Sequence, residues 1–188
     1  MQFDIEKERL EFREEQVSSA DIFDGVILHV KRDTVRLPDG HLTGREIIRH
    51  VGAVCVIPVN DKNEVVVERQ YRYPIDAVIT EIPAGKLDGP GEDRLSAAKR
   101  ELLEETGISA DLWTDLGPYY GAPAYSDEYI TMYLAQGLHL GEQRLDEGEF
   151  LSVKTVPLSE LVEDAMVGRI PDAKTQLAVL KAARLLGL

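Results

Sequence analysis

Residues 52–59, "GAVCVIPV", are apolar without interruption, the pattern of a strand buried inside a sheet. Burying such a strand takes a sizeable core, and 188 residues with 44% hydrophobic side chains supply one. The turn "NDKN" follows and leads into "EVVVERQYRY", expected to be the antiparallel partner of the first strand. "AVITEIPAGKL" reads as one further extended segment, running into the Gly- and Pro-rich loop "GKLDGPGED". Upstream, residues 17–50 read as short strands: "GVILHVKRDTVRL" carries β-branched residues, "PDG" marks a turn, and "REIIRH" follows. Downstream, strand-like segments lie around 112–120 and 128–136, a loop over 137–150, and a last strand in "FLSVKTVPL".

The clearest helix spans about Asp93 to Glu105, with Leu95, Ala98 and Leu102 as its apolar stripe and Gly107 as its stop signal. Two more close the sequence. "SELVEDAMV" has Ser159 as the expected N-cap and Gly168 past its end, and residues 172–186 carry Leu177, Leu180 and Leu185 as apolar positions. Strands interspersed with a few helices imply the α/β class, a sandwich around a mixed sheet.

Composition narrows the function. A formal net charge of -13 argues against nucleic acid and anionic membranes as partners, since both require basic patches. An anionic ligand would have to be met by a few placed arginines or by metal ions. The single cysteine, Cys55, excludes an internal disulfide framework, and its apolar setting makes it a small core residue. The charged N-terminus, "MQFDIEKERLEFREE", has no signal-type apolar stretch, and a cytoplasmic location is the expectation.

In the helix, Glu101, Glu104 and Glu105 share one face, and like charges at that spacing cost roughly 0.2–0.5 kcal/mol per pair. Alone, "ExxEE" reads as a solvated acidic stripe rather than a metal site. Beside it, however, "PAGKLDGPG" offers exposed backbone carbonyls, and Mg²⁺ takes carboxylate, carbonyl and water oxygens and shares them with substrate phosphates.

The stretch "GKLDGPGEDRLSAAKRELLEETGI" resembles the signature of the Nudix hydrolases, Gly-x5-Glu-x7-Arg-Glu-U-x-Glu-Glu-x-Gly-U with U apolar. Glu92, Arg100, Glu101, Leu102, Glu104, Glu105, Gly107 and Ile108 match it in register. One departure stands out: six residues, not five, separate Gly85 from Glu92. The extra residue falls in a turn, where added length costs little. "EIPAGKL", the position of Pro123, "REIIRHVGAV", "VERQYRYP" and "LDEGEF" together resemble the ADP-ribose pyrophosphatase branch.

That resemblance implies a Nudix-type α/β/α sandwich over residues 51–188, preceded by an N-terminal β-strand subdomain, residues 1–50, that exchanges across a homodimer. It implies Mg²⁺-dependent hydrolysis of ADP-ribose to AMP and ribose 5-phosphate, with Mn²⁺ as an alternative cation. The Ala84 carbonyl, Glu101, Glu105 and Glu149 become metal ligands, with Glu104 a ligand or their immediate partner. Arg100 orients the glutamates, and Glu147 is the general base, with Glu142 and Asp146 as the competing positions. Arg72 would bind substrate phosphate, with Arg69 competing for that role. Arg45 would reach across the dimer interface, and Glu128 would lie near the substrate ribose. His50 reads as a packed strand-end residue. The rival readings are another Nudix pyrophosphatase, acting on GDP-mannose or oxidised nucleotides, and a non-catalytic nucleotide-sensing module.

Overall fold

The computed structural model describes residues 4–188, which fall into two compact units: the chain up to His50 together with Ala122–Glu128, and Val51–Gly121 together with Tyr129–Leu188.

The first unit starts with helix α1 (Ile5–Phe12), which the sequence reading did not anticipate and which buries none of its residues. Asp4 caps it by accepting a hydrogen bond from the Lys7 N–H. Three antiparallel strands follow in the order β1 (Glu15–Asp24), β2 (His29–Arg36) and β3 (Leu42–Arg49). The "PDG" turn closes β2 onto β3, with Gly40 at φ +89°, a backbone conformation that favours glycine. β1 is exposed along its whole length.

The second unit holds two sheets. One has the order β7 (Ala84–Lys86), β4 (Ala53–Pro58), β9 (Tyr129–Leu140), β8 (Ile108–Tyr120), with β4 and β9 parallel and the other neighbours antiparallel. The other has the order β10 (Leu151–Pro157), β5 (Glu64–Arg72), β6 (Ala77–Glu81). The helices are α2 (Arg94–Thr106), α3 (Leu158–Met166) and α4 (Ala173–Leu186).

Side-chain alternation turns the apolar runs into a layered core. Val54 and Val56 of β4, Val66 of β5 and Tyr133 of β9 pack with Ala97, Ala98 and Leu102 of α2. Cys55 and Ile57, Val65 and Val67, and Met132 and Leu134 point the other way and pack with α3 and α4. The result is the expected α/β sandwich around a mixed sheet, with a separate small antiparallel sheet ahead of it.

Several local expectations need correction. The "NDKN" turn does not make β4 and β5 ladder partners: only the Val59–Val65 bridge joins them, and the strands then diverge into different sheets. "AVITEIPAGKL" is likewise two strands, β6 and β7, in separate sheets. Residues 137–140 continue β9 rather than starting the loop. Helix α3 starts one residue before Ser159, which lies inside it, because the Leu158 N–H is already satisfied by the Asn63 carbonyl. In α4 the buried face is Thr175, Ala178, Val179, Ala182 and Ala183, while Leu180 and Leu185 are exposed. Small residues there let the helix axis approach the sheet.

Among the described residues no helix is long and apolar enough to cross a membrane.

Candidate active site

Helix α2 is capped at both ends. The Asp93 side chain accepts the Ser96 N–H at 2.9 Å, and Gly107, at φ +71°, donates its N–H to the Leu103 carbonyl. Burying Leu102 contributes about 1.5–3 kcal/mol. The same packing carries Glu101 and Glu105, one turn apart, out of water, to 8% and 6% exposure. Glu104, half-buried, sits at the edge.

Arg100 gathers the signature glutamates. Its guanidinium donates to Glu101 at 2.8 Å, to Glu104 at 3.2 Å and to Glu92 at 3.2 Å. The second oxygen of Glu92 accepts the Asp88 N–H at 2.7 Å, which anchors the loop before the helix. The additional loop residue is absorbed in the turn around 88–91, while Ala84–Lys86 stay paired with β4. The Ala84 N–H donates to Glu105 Oε2 at 2.9 Å. A Cβ at Gly85 would overlap the Glu101 carboxylate, so glycine is what lets that carboxylate lie against the strand.

The segment after β9 is docked on the end of α2. Gly141 N–H donates to the Gly107 carbonyl at 2.7 Å, Arg144 N–H to the Glu104 carbonyl at 2.9 Å, and the Gln143 side-chain amide to the Glu105 carbonyl. A Cβ on Gly107 would strike the backbone at 142–143, so this glycine serves both the helix cap and the close crossing. The docking brings Asp146 and Glu149 to a cavity of about 260 Å³ lined also by Ala84, Gly85, Lys86, Asp88, Arg100, Glu101, Glu104 and Glu105. Glu147 lies on the exposed turn between those two acids, next to Gly148 at φ +87°, and is not among the lining residues; Glu142 is exposed.

The cluster carries more negative charge than its surroundings balance. Burial, followed by the charges of Glu68, Glu101 and Glu149, pushes the Glu105 pKa well above the usual carboxylate range, against the opposing Ala84 N–H. Glu68 is raised in the same direction by burial, then by Glu149 and Glu81. Burial also raises Glu101, with Arg100 opposing. Among the described residues no three His, Cys, Asp or Glu side chains form a ready-made cage. A cation here would therefore complete its shell with the Ala84 carbonyl, water and ligand phosphates. The uncompensated, oxygen-only donor set fits a hard divalent ion.

Residues 49–176 match the NUDIX domain model, and residues 14–48 match the model described as the nucleoside diphosphate sugar hydrolase N-terminal domain. The chain belongs to the Nudix hydrolase family.

Relatives of this Nudix chain include a methanol dehydrogenase activator of Bacillus methanolicus, 41% identical over 170 residues, spanning 89% of this chain and 91% of the relative. An ADP-ribose pyrophosphatase of Bacillus subtilis (strain 168) is 37% identical over 168 residues, covering 88% of this chain and 90% of the relative. A solved ADP compounds hydrolase shares the fold, with a TM-score of 0.82 at 24% identity over 93% of this chain and 95% of its own. Nudix hydrolases generally require divalent cations such as Mg²⁺, in keeping with the donor set of the cavity.

The remaining candidates are carried by elements other than α2. Arg72 lies on β5 and donates to Glu81 Oε2 at 2.7 Å; Lys174, at the start of α4, donates to the other Glu81 oxygen at 2.5 Å and lies 3.1 Å from Asp172. Arg69 donates to the Val78 carbonyl at 3.4 Å. Arg45 and Glu128 belong to the N-terminal unit, where Arg45 pairs with Glu14 at 2.5 Å and Glu128 lies 3.5 Å from the His50 ring. Sequence reasoning missed Glu68, Glu81 and Lys174, all buried. Alternation along "EVVVERQ" puts Glu68 on the Val66 face, and only the packing of α2 on that face gives the position meaning.

Proposed function

We propose that this Nudix hydrolase cleaves the diphosphate of ADP-ribose, giving AMP and ribose 5-phosphate. The observation that carries the reading is the cavity in which Glu101, Glu104 and Glu105 face Ala84 and the docked 141–149 segment. The relative named ADP-ribose pyrophosphatase, aligned over 88% of the chain, supports this substrate.

A Mg²⁺ or Mn²⁺ ion held by the Ala84 carbonyl, Glu101, Glu104, Glu105 and Glu149 would neutralise the diphosphate and acidify the attacking water. Arg100 keeps the glutamates oriented through its four carboxylate partners, the three hydrogen-bonded glutamates and Asp88 at 3.7 Å. Glu147 takes the proton of the attacking water, Gly148 giving its turn the freedom to bring that carboxylate inward. Water adds to one phosphorus, the bridging P–O bond breaks, and the proton balance closes on the departing phosphate. Arg72 and Glu128 bind substrate, and Arg45 is offered across a homodimer interface. The proposed cytoplasmic placement rests on the single cysteine, Cys55, which leaves no internal disulfide framework and fits a reducing compartment.

The test is a steady-state panel with Mg²⁺: ADP-ribose, GDP-mannose and an 8-oxo-purine nucleoside triphosphate. The expected result is the highest kcat/KM for ADP-ribose. A preference for either alternative would replace the substrate assignment, and no turnover of any would favour a nucleotide-sensing module.

A further inference from the structure

Glu68 is a buried acid without a balancing partner. It is 3% exposed, in the middle of β5, and its Oε1 makes no hydrogen bond. Three carboxylates surround it. Glu81 lies directly opposite in the β5–β6 ladder, and Glu105 and Glu149 act on it electrostatically. Its side-chain parity matches Val66, which packs against α2, so Glu68 points to the face on which α2 presents Glu105. The nearest basic groups, Arg72 and Lys174, are both hydrogen-bonded to Glu81. An isolated buried carboxylate is strongly unfavourable unless a positive charge or a hydrogen-bond donor meets it.

We infer that Glu68 is a further member of the cation platform, closing it from its buried side beneath Glu105. The inference rests on the reading of the α2 glutamates as cation ligands, and it deepens that reading. The signature supplies carboxylates from the helix and from the 141–149 segment. Glu68 supplies one from the sheet, so that the positive charge is enclosed from three elements. Its role is to hold the cation and the Glu105 carboxylate in place, not to contact substrate.

The experiment measures Mn²⁺ binding to the full chain, without substrate, by calorimetry and by electron paramagnetic resonance of the free ion. Glu68→Gln keeps the shape and removes the charge; Glu68→Val extends the valine run of β5. Circular dichroism verifies the fold of each. Both variants are expected to weaken Mn²⁺ binding by about tenfold or more, the scale of lost supporting contacts at metal sites. Glu105→Gln is measured alongside and is expected to weaken it at least as much. Wild-type affinity in both Glu68 variants, with affinity lost in Glu105→Gln, would overturn the role of Glu68 and leave the α2 platform standing. Wild-type affinity in all three would overturn the platform itself.

Discussion

Glu81 and Glu105 are both buried carboxylates of the same unit, 4% and 6% exposed, yet they are held on opposite terms. Glu81 has a cation on each oxygen, Arg72 on one and Lys174 on the other. Burial works against the Lys174 charge, but Asp172 and Glu81 outweigh it and keep its pKa above the ordinary lysine value. Glu105 has a single backbone N–H on one oxygen and three carboxylates for company, Glu68, Glu101 and Glu149. The first group is balanced from within and clamps α4 to the sheet, a clamp that Thr175 reinforces by accepting the Ile82 N–H. The second is balanced only when a positive charge comes from outside. Counting charges around a buried acid thus separates a structural cluster from a binding one.

The sharpest way to break this comparison is to unbalance the balanced side. Lys174→Met leaves buried Glu81 with one partner and should cost about 3–5 kcal/mol of stability, read from urea unfolding at neutral pH. A loss near the ~0–1 kcal/mol of an exposed pair would show that the clamp does not depend on internal charge balance.

A smaller effect is expected at Gly85. Gly85→Ala puts a methyl where the Glu101 carboxylate lies, on a backbone that any residue can adopt. The expected outcome is a fall of about tenfold in kcat/KM, about 1.4 kcal/mol, with little change in Tm. Wild-type kinetics would mean that the position of Glu101 against β7 is unimportant.

The smallest and most diagnostic prediction concerns pH. Burial raises the folded-state pKa values of Glu68 and Glu105 above the ordinary glutamate value of 4.5. Their contribution to stability is therefore fully present below that value and is lost as pH rises toward and past neutrality. Without divalent cations, Tm should fall by a few degrees between pH 5 and pH 8, at about 2–4 °C per kcal/mol in a chain of this size. Adding Mg²⁺ at pH 8 should restore it. A cation-free Tm that rises over that interval would contradict the assignment of an uncompensated cluster.

Much of the site is local in origin and so legible in sequence. Helix α2 begins and ends within one residue of expectation because Asp93 and Gly107 act on their own immediate neighbours. The spacing of Glu101 and Glu105 places them on one helical face whatever else surrounds them. The longer loop leaves Ala84 in place because β7 is held by β4 and Glu92 ties down the turn.

Other expectations failed where a second element decides. A turn between two apolar strands suggested a hairpin, but after the Val59–Val65 bridge each strand joins different neighbours. The apolar leucines of α4 do not by themselves mark its buried face: close approach to the sheet selects alanines and Val179, and Leu180 and Leu185 stay exposed.

By itself the sequence determined the helix, its caps, the register of its glutamates and the family they belong to, because all of these depend on residues within a few turns of one another. Tertiary structure alone decided that Glu81 is neutralised by Lys174, 93 residues away, and that Glu68 is buried with its Oε1 left without a hydrogen-bond partner. Coulomb attraction and desolvation act through space, and which charges meet is settled only when strands choose their partners and helices choose the face they cover.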